Sequence, residues 1–143
     1  MTLVDANLLL YAYDSSSRAH RTARVWLERQ LSGSAPVGLP WIVLLAFLRI
    51  STNPRALARP LSTSAAADTV ASWLEMPCVV VPAPGPGHWE LLRELVTKGQ
   101  ARGPLVTDAH LAALAIEHGA TLATTDRDFA RFEGLKLLNP LSE

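Results

Sequence analysis

The chain has 143 residues, a formal net charge of zero, 49% hydrophobic and 18% charged residues. That size and composition suit one domain, 1–143, with a substantial core, and exclude a disordered tail. A lone cysteine, Cys78, excludes an internal disulfide, and the longest apolar run, Trp41 to Leu48, is too short to cross a bilayer. Met1 leads straight into Thr2-Leu3-Val4-Asp5 without a basic start, so the expected location is the cytoplasm, with no membrane partner.

Leu3 to Ala6 reads as a short buried strand, with Asn7 to Tyr13 as a helical turn directly behind it. An amphipathic helix follows from His20 to Leu31, with Ala23, Trp26, Leu27 and Leu31 on one stripe and Arg21, Arg24 and Glu28 opposite. Val37-Gly38-Leu39 is a candidate strand, and Pro40 suits the first position of a helix from Trp41 to Ser51. That helix is apolar nearly all round until Arg49, which implies either burial or cover by a partner chain. The four tryptophans, Trp26, Trp41, Trp73 and Trp89, fall on helix faces and read as core or interface.

A further helix is expected from Ser64 to Glu75, then a strand from Cys78 to Val81 that buries a reduced thiol. Pro82 to Gly87 forms a stiff loop, and His88 to Lys98 has helical spacing with Gly99 just past its end. Thr107 is the candidate N-cap of a helix from Asp108 to His118. Thr121 to Thr124 is a strand, Asp126 to Phe132 a short helix, and Leu135 to Leu138 a last strand. Strands alternating with helices indicate an α/β domain with a mostly parallel central sheet.

Neutral total charge hides a division along the chain. Arg18, Arg21, Arg24, Arg29, Arg49, Arg55 and Arg59 face only Glu28 between Ser15 and Ala67, whereas Asp108, Glu117, Asp126, Asp128 and Glu133 dominate the stretch from Gly103 to Glu133. A basic surface beside an acidic pocket has this form, and so does ordinary charge scatter.

Three acids stand where a strand gives way to a helix or at the start of one: Asp5, Asp108 and Asp126, with Asp128 two residues further on. Ligands of open parallel sheets gather beyond the carboxyl ends of the strands, so acids placed there can converge. Converging carboxylates raise one another's pKa unless a cation neutralises them, and a hard divalent ion such as Mg²⁺ fits oxygen ligands. Each acid also has an ordinary explanation as a helix cap, a surface residue or a partner of the helix dipole, the last worth about 0.3–1 kcal/mol. Asp5 is hardest to explain that way, because it lies among Leu3, Val4, Leu8 and Leu9. The four histidines, His20, His88, His110 and His118, share no catalytic spacing.

Val4-Asp5-Ala6-Asn7-Leu8-Leu9-Leu10-Tyr11-Ala12, Thr107-Asp108-Ala109-His110-Leu111-Ala112-Ala113 and Thr124-Thr125-Asp126-Arg127-Asp128-Phe129 together resemble the PIN domain, and within it the VapC toxins of bacterial toxin–antitoxin pairs. The resemblance covers essentially the whole chain. It implies a PIN-like fold of about five parallel strands flanked by helices in three layers. It also implies an Mg²⁺- or Mn²⁺-dependent endoribonuclease, restrained by a VapB-type antitoxin and expected as a homodimer.

By that resemblance Asp5, Asp108 and Asp126 are the catalytic acids and metal ligands, Asp128 assists at the metal, and Asn7 and Thr125 orient the acids. One departure stands out. The family usually carries a Glu on the helix after the second strand, where this chain reads Leu44-Leu45-Ala46-Phe47-Leu48-Arg49, so one well-held metal is expected and not two. Ala46 also keeps open a PIN-like protein that binds RNA or a partner without cutting. A metal-dependent phosphatase of another α/β family fits less well, because Asn7 stands where a second Asp would be required.

Overall fold

A computed structural model describes residues 1–142. In chain order the elements are β1 (Thr2–Val4), α1 (Ala6–Tyr13), α2 (His20–Ser32), β2 (Val37–Gly38), α3 (Trp41–Ser51), α4 (Thr63–Leu74), β3 (Val79–Val80), α5 (His88–Lys98), α6 (Pro104–Glu117), β4 (Thr121–Ala123), a 3-10 turn (Arg127–Arg131) and β5 (Lys136–Leu138). All five strands are parallel and stand in the order β3-β2-β1-β4-β5, as expected of a sheet whose first four strands are joined through helices.

The strands are only two or three residues long; β1, β2 and β4 are largely buried, whereas the edge strands β3 and β5 are not. Leu3, Val4, Leu122 and Ala123 expose no surface, so the two central strands are covered on both faces. Gly38 lets β2 lie beside β1: a Cβ there would come within 2.8 Å of Leu3 Cδ1.

The order of the strands decides where a site can form. The chain adds β2 and β3 on one side of β1 and then crosses to place β4 on the other side. The crevice beyond the carboxyl ends of β1 and β4 is therefore the topological switch point, where open parallel sheets bind ligands. Helices α1, α3 and α4 are locked together by an aromatic trio of Tyr13, Phe47 and Trp73, whose ring centroids lie 4.7–5.7 Å apart with edge-on geometry.

Helix α6 begins earlier than its sequence suggests. Gly103, at φ 56° and ψ −128°, is its N-cap, and Pro104 takes the first turn, where a missing N–H costs nothing. Thr107 is consequently inside the helix and caps nothing. Asp108 lies in the second turn, past the reach of the helix dipole, so another reason must account for its place.

Helix α3 divides its apolar surface between two roles. Val43, Leu44 and Phe47 are buried, while Trp41 and Leu45 are each 56% exposed. Of the tryptophans, Trp73 is core but Trp89 is exposed. Cys78 precedes β3, half-buried, with its thiol 3.3 Å from the Leu31 carbonyl oxygen.

Two histidines without sequence spacing meet in space. Glu117 on α6 accepts from the Gly85 N–H through Oε2 at 3.1 Å and pairs with His88 Nδ1 through Oε1 at 2.8 Å, and His88 Nε2 lies 2.9 Å from His110 Nδ1. The chain of contacts ties the proline-rich loop and the start of α5 to α6. Burial and the neighbouring His88 hold His110 below the ordinary histidine pKa, so its ring is neutral at neutral pH. We expect Glu117→Ala to lower folding stability by about 1–3 kcal/mol in urea denaturation, because it strips a largely buried polar network of its acceptor. Equal midpoints for the two proteins would show that the network carries no stability.

Candidate active site

Asp5 is fixed at the switch point by its own backbone and by its neighbour strand. Its N–H donates to the Ala123 carbonyl at 2.9 Å, extending the β1–β4 ladder one residue past the strand. Its side chain caps α1, with Oδ1 accepting from the Ala6 N–H at 2.8 Å. Oδ2 accepts from the buried Thr124 hydroxyl at 2.7 Å. Thr124 Oγ1 accepts in turn from the Asp126 N–H at 3.0 Å, and Asp126 Oδ1 from the Asp128 N–H at 2.8 Å. One hydroxyl thus couples the acid after β1 to the acid after β4.

A cavity of about 540 Å³ opens over this network. Asp5, Asp108 and Asp126 all line it, so Asp5 shares one space with two acids more than a hundred positions away. Asn7 also lines it, as does Ala46, which presents a methyl group from α3. The α3 wall is otherwise apolar, formed by Ile42, Val43, Leu45 and Ile50, and carries one cation, Arg49.

The acids feel one another. Burial pushes the Asp5 carboxyl up, the Thr124 and Ala6 hydrogen bonds pull it down, and the Asp126 charge adds to the rise. Asp108 is pushed up to about 6, by burial first and then by the charges of Asp126, Asp5 and Asp128, against an opposing pull from Arg131.

Other expectations divide. Asp128 is exposed and lies off the cavity; its charge reaches Asp108, and its N–H holds Asp126. Thr125 lines a different cleft, and its neighbour Thr124 makes the contact with Asp5. The pairing of Val4 with Ala123 explains this, because it sets the next residues, Asp5 and Thr124, side by side. Spacing alone does not tell two adjacent threonines apart. Asp14 closes a tight turn with Ser16 and takes no part in the cavity. Arg49 was legible as one turn beyond Ala46 on the same helix.

The donor set in the cavity is all oxygen, which fits a hard divalent cation and not zinc. Among the described residues no three His, Cys, Asp or Glu side chains close into a ready-made cage. Mg²⁺ does not require one, since it is commonly held by one or two carboxylates with waters completing the shell.

The Asp108 shift has a direct consequence for the metal-free protein. Its carboxyl binds a proton more tightly folded than unfolded, so the folded state holds more protons between the ordinary value of 3.8 and about 6. Stability therefore falls as pH rises through that window, and the full penalty is present above it. In EDTA, Asp108→Asn should melt above wild type at pH ~7.5, with the gap closing at pH ~4. A gap of the same size at both values would place the origin of the effect elsewhere.

A wholly parallel sheet that gathers carboxylates at its switch point defines an α/β protein with an acidic ligand crevice. The chain belongs to the PIN domain family, whose model matches residues 2–135. It is 44% identical to Ribonuclease VapC37 of Mycobacterium tuberculosis, over 98% of this chain and 97% of that one. Its fold is similar to that of VapBC-1 from nontypeable Haemophilus influenzae, with a TM-score of 0.71 at 15% identity over 99% of this chain and 98% of that one. It is likewise similar to Mycobacterium tuberculosis VapC20, a sarcin-ricin loop cleaving toxin, with a TM-score of 0.67 at 20% identity over 95% and 99% of the two chains. No helix among the described residues is long and apolar enough to cross a membrane.

Proposed function

We propose that this protein is a divalent-metal-dependent endoribonuclease, the toxin of a type II toxin–antitoxin pair. The observation that carries the reading is the convergence of Asp5, Asp108 and Asp126 on one cavity, where burial first and then the neighbouring acids push Asp108 up to about 6. Such an arrangement costs the folded chain stability, and a bound cation relieves it. Relatives named as ribonucleases support RNA as the substrate.

Asp5 and Asp108 would hold Mg²⁺ or Mn²⁺, with Asp126 beside them. Bound there, the ion supplies Lewis acidity to a phosphodiester and lowers the pKa of water. The protein's own part is positioning. Thr124 fixes the Asp5 carboxylate through Oδ2 and leaves Oδ1 shared with the start of α1. Asp126, steadied by the Asp128 N–H, is the acid free to accept a proton from attacking water. Arg49, the one cation among the described residues of the cavity wall, is placed to meet phosphate charge.

Ala46 favours a second reading, in which the chain binds RNA or a partner without cutting it. Incubating the purified protein with RNA in Mg²⁺, Mn²⁺ or EDTA separates the two: metal-dependent internal cleavage supports the first, and intact RNA under all three conditions supports the second.

The toxin reading also implies a VapB-type antitoxin chain, and the solved complex of VapBC-1 is of that kind. Trp41 and Leu45, exposed on successive turns of α3 beside the cavity, are surface that such a chain would cover. A homodimer is proposed by the same resemblance.

A further inference from the structure

Asp126 and Thr125 are neighbours in sequence, yet they line separate cavities. Thr125 helps to line a shallow cleft of about 370 Å³ together with Tyr11, Ser17, Arg18 and Asn139. No acid is among its described lining residues, in contrast to the cavity next door.

Two polar side chains of this cleft use an oxygen to accept from backbone N–H groups and keep a donor free, whereas Ser142 Oγ donates to the Asn139 carbonyl at 3.2 Å. Asn139 Oδ1 accepts from the Leu141 N–H at 3.0 Å, so its amide NH₂ is what it has to offer. Ser17 Oγ accepts from the Ala19 N–H at 3.1 Å, which leaves its hydroxyl proton to donate. Arg18 is exposed and has no ion-pair partner among the described residues. A guanidinium, an amide and the hydroxyls of Ser17 and Thr125, with no carboxylate among the described lining residues, match an anion with several acceptor oxygens.

We propose that this cleft holds a backbone phosphate of the RNA strand, next to but distinct from the phosphate that is cut. The inference rests on the ribonuclease reading for its choice of ligand. A strand laid across Asp126 continues over Thr125, because one residue of backbone separates the two cavities. The contact carries no base information and sets where along the strand the acids act. Arg49 on the α3 side and Arg18 on the Thr125 side then bracket the acids, which gives the basic stretch of the chain a defined path.

The test is binding of a single-stranded RNA oligonucleotide across a salt series in EDTA, where no metal-dependent cutting occurs. Arg18→Ala should weaken binding about threefold to tenfold at low salt and flatten the salt slope by about 0.7, the value of one phosphate contact on a single strand. Arg18→Lys, which keeps the charge, should restore most of the slope. Arg93→Ala on α5 removes the same charge away from both cavities and should leave the slope as in wild type. Equal slopes for Arg18→Ala and Arg93→Ala would overturn the proposal. Inorganic phosphate that displaces RNA from wild type at matched ionic strength but not from Arg18→Ala would support it, because the two ligands then compete for the cleft. Arg18-dependent binding by a protein that never cuts RNA in Mg²⁺ would leave the cleft standing and remove the ribonuclease reading. Cutting by wild type with an Arg18→Ala slope unchanged would do the reverse.

Discussion

Asp5→Asn should reduce Mg²⁺-dependent RNA cleavage by more than about 100-fold, because loss of a residue that merely supports a metal ligand already costs about 10- to 100-fold. The substitution keeps the shape of the side chain; its amide oxygen can still accept from the Ala6 N–H while its NH₂ donates to Thr124 Oγ1, so the fold around β1 should survive. Asp108→Asn should lose as much, with the difference that it also raises the melting temperature of the metal-free protein at neutral pH. Activity lost while stability is gained marks a group kept for chemistry and not for folding. Cleavage assays on the two variants, run beside thermal melts, check both halves. Wild-type cleavage by either variant would remove that acid from the site.

Thr124→Val should lower cleavage about 10- to 100-fold without touching any acid. Valine matches threonine in shape but cannot donate to Asp5 Oδ2 or accept from the Asp126 N–H, so both acids lose their common tether. The half-buried Asp5 carboxylate, left short of a donor, should also cost about 1–3 kcal/mol of stability. Thr124→Ser restores the hydroxyl and should restore most of the activity. A merely structural threonine would show the stability loss alone, with the Mg²⁺ concentration needed for half-maximal cleavage unchanged. The position of Asp5 predicts that this requirement rises.

How much of this was written in the sequence depends on the range of the interaction that fixes each feature. The strand around Leu3, the helix around Leu27 and the strand around Leu122 are fixed by local apolar pattern, and each lies where that pattern puts it. Asp5, Asp108 and Asp126 stood out because acids at the ends of apolar segments need an explanation, and parallel topology then brings them together. The start of α6 was misread because Thr107 and Gly103-Pro104 are both valid helix signals; Gly103, with its positive φ, settles the matter only once the turn is seen. Thr124 and the Glu117–His88–His110 chain were beyond the reach of spacing. Each depends on register between segments distant in sequence, which no periodicity reports. Asp128 belongs to a matching motif, and its exposed side chain is not among the residues that line the cavity.

Zero net charge argues weakly against a nucleic-acid partner only until the charge is mapped: Arg49 lines the cavity of the acids and Arg18 lines the cleft that Thr125 borders, and the sum over the chain conceals both.

The central claim is that Asp5, Asp108 and Asp126 form a metal site. It is tested most directly by anomalous diffraction from crystals soaked in Mn²⁺. The account predicts one strong peak within bonding distance of the Asp5 and Asp108 carboxylates, with Asp126 facing it. A fully occupied peak elsewhere, or no peak among these acids at saturating Mn²⁺, would contradict it.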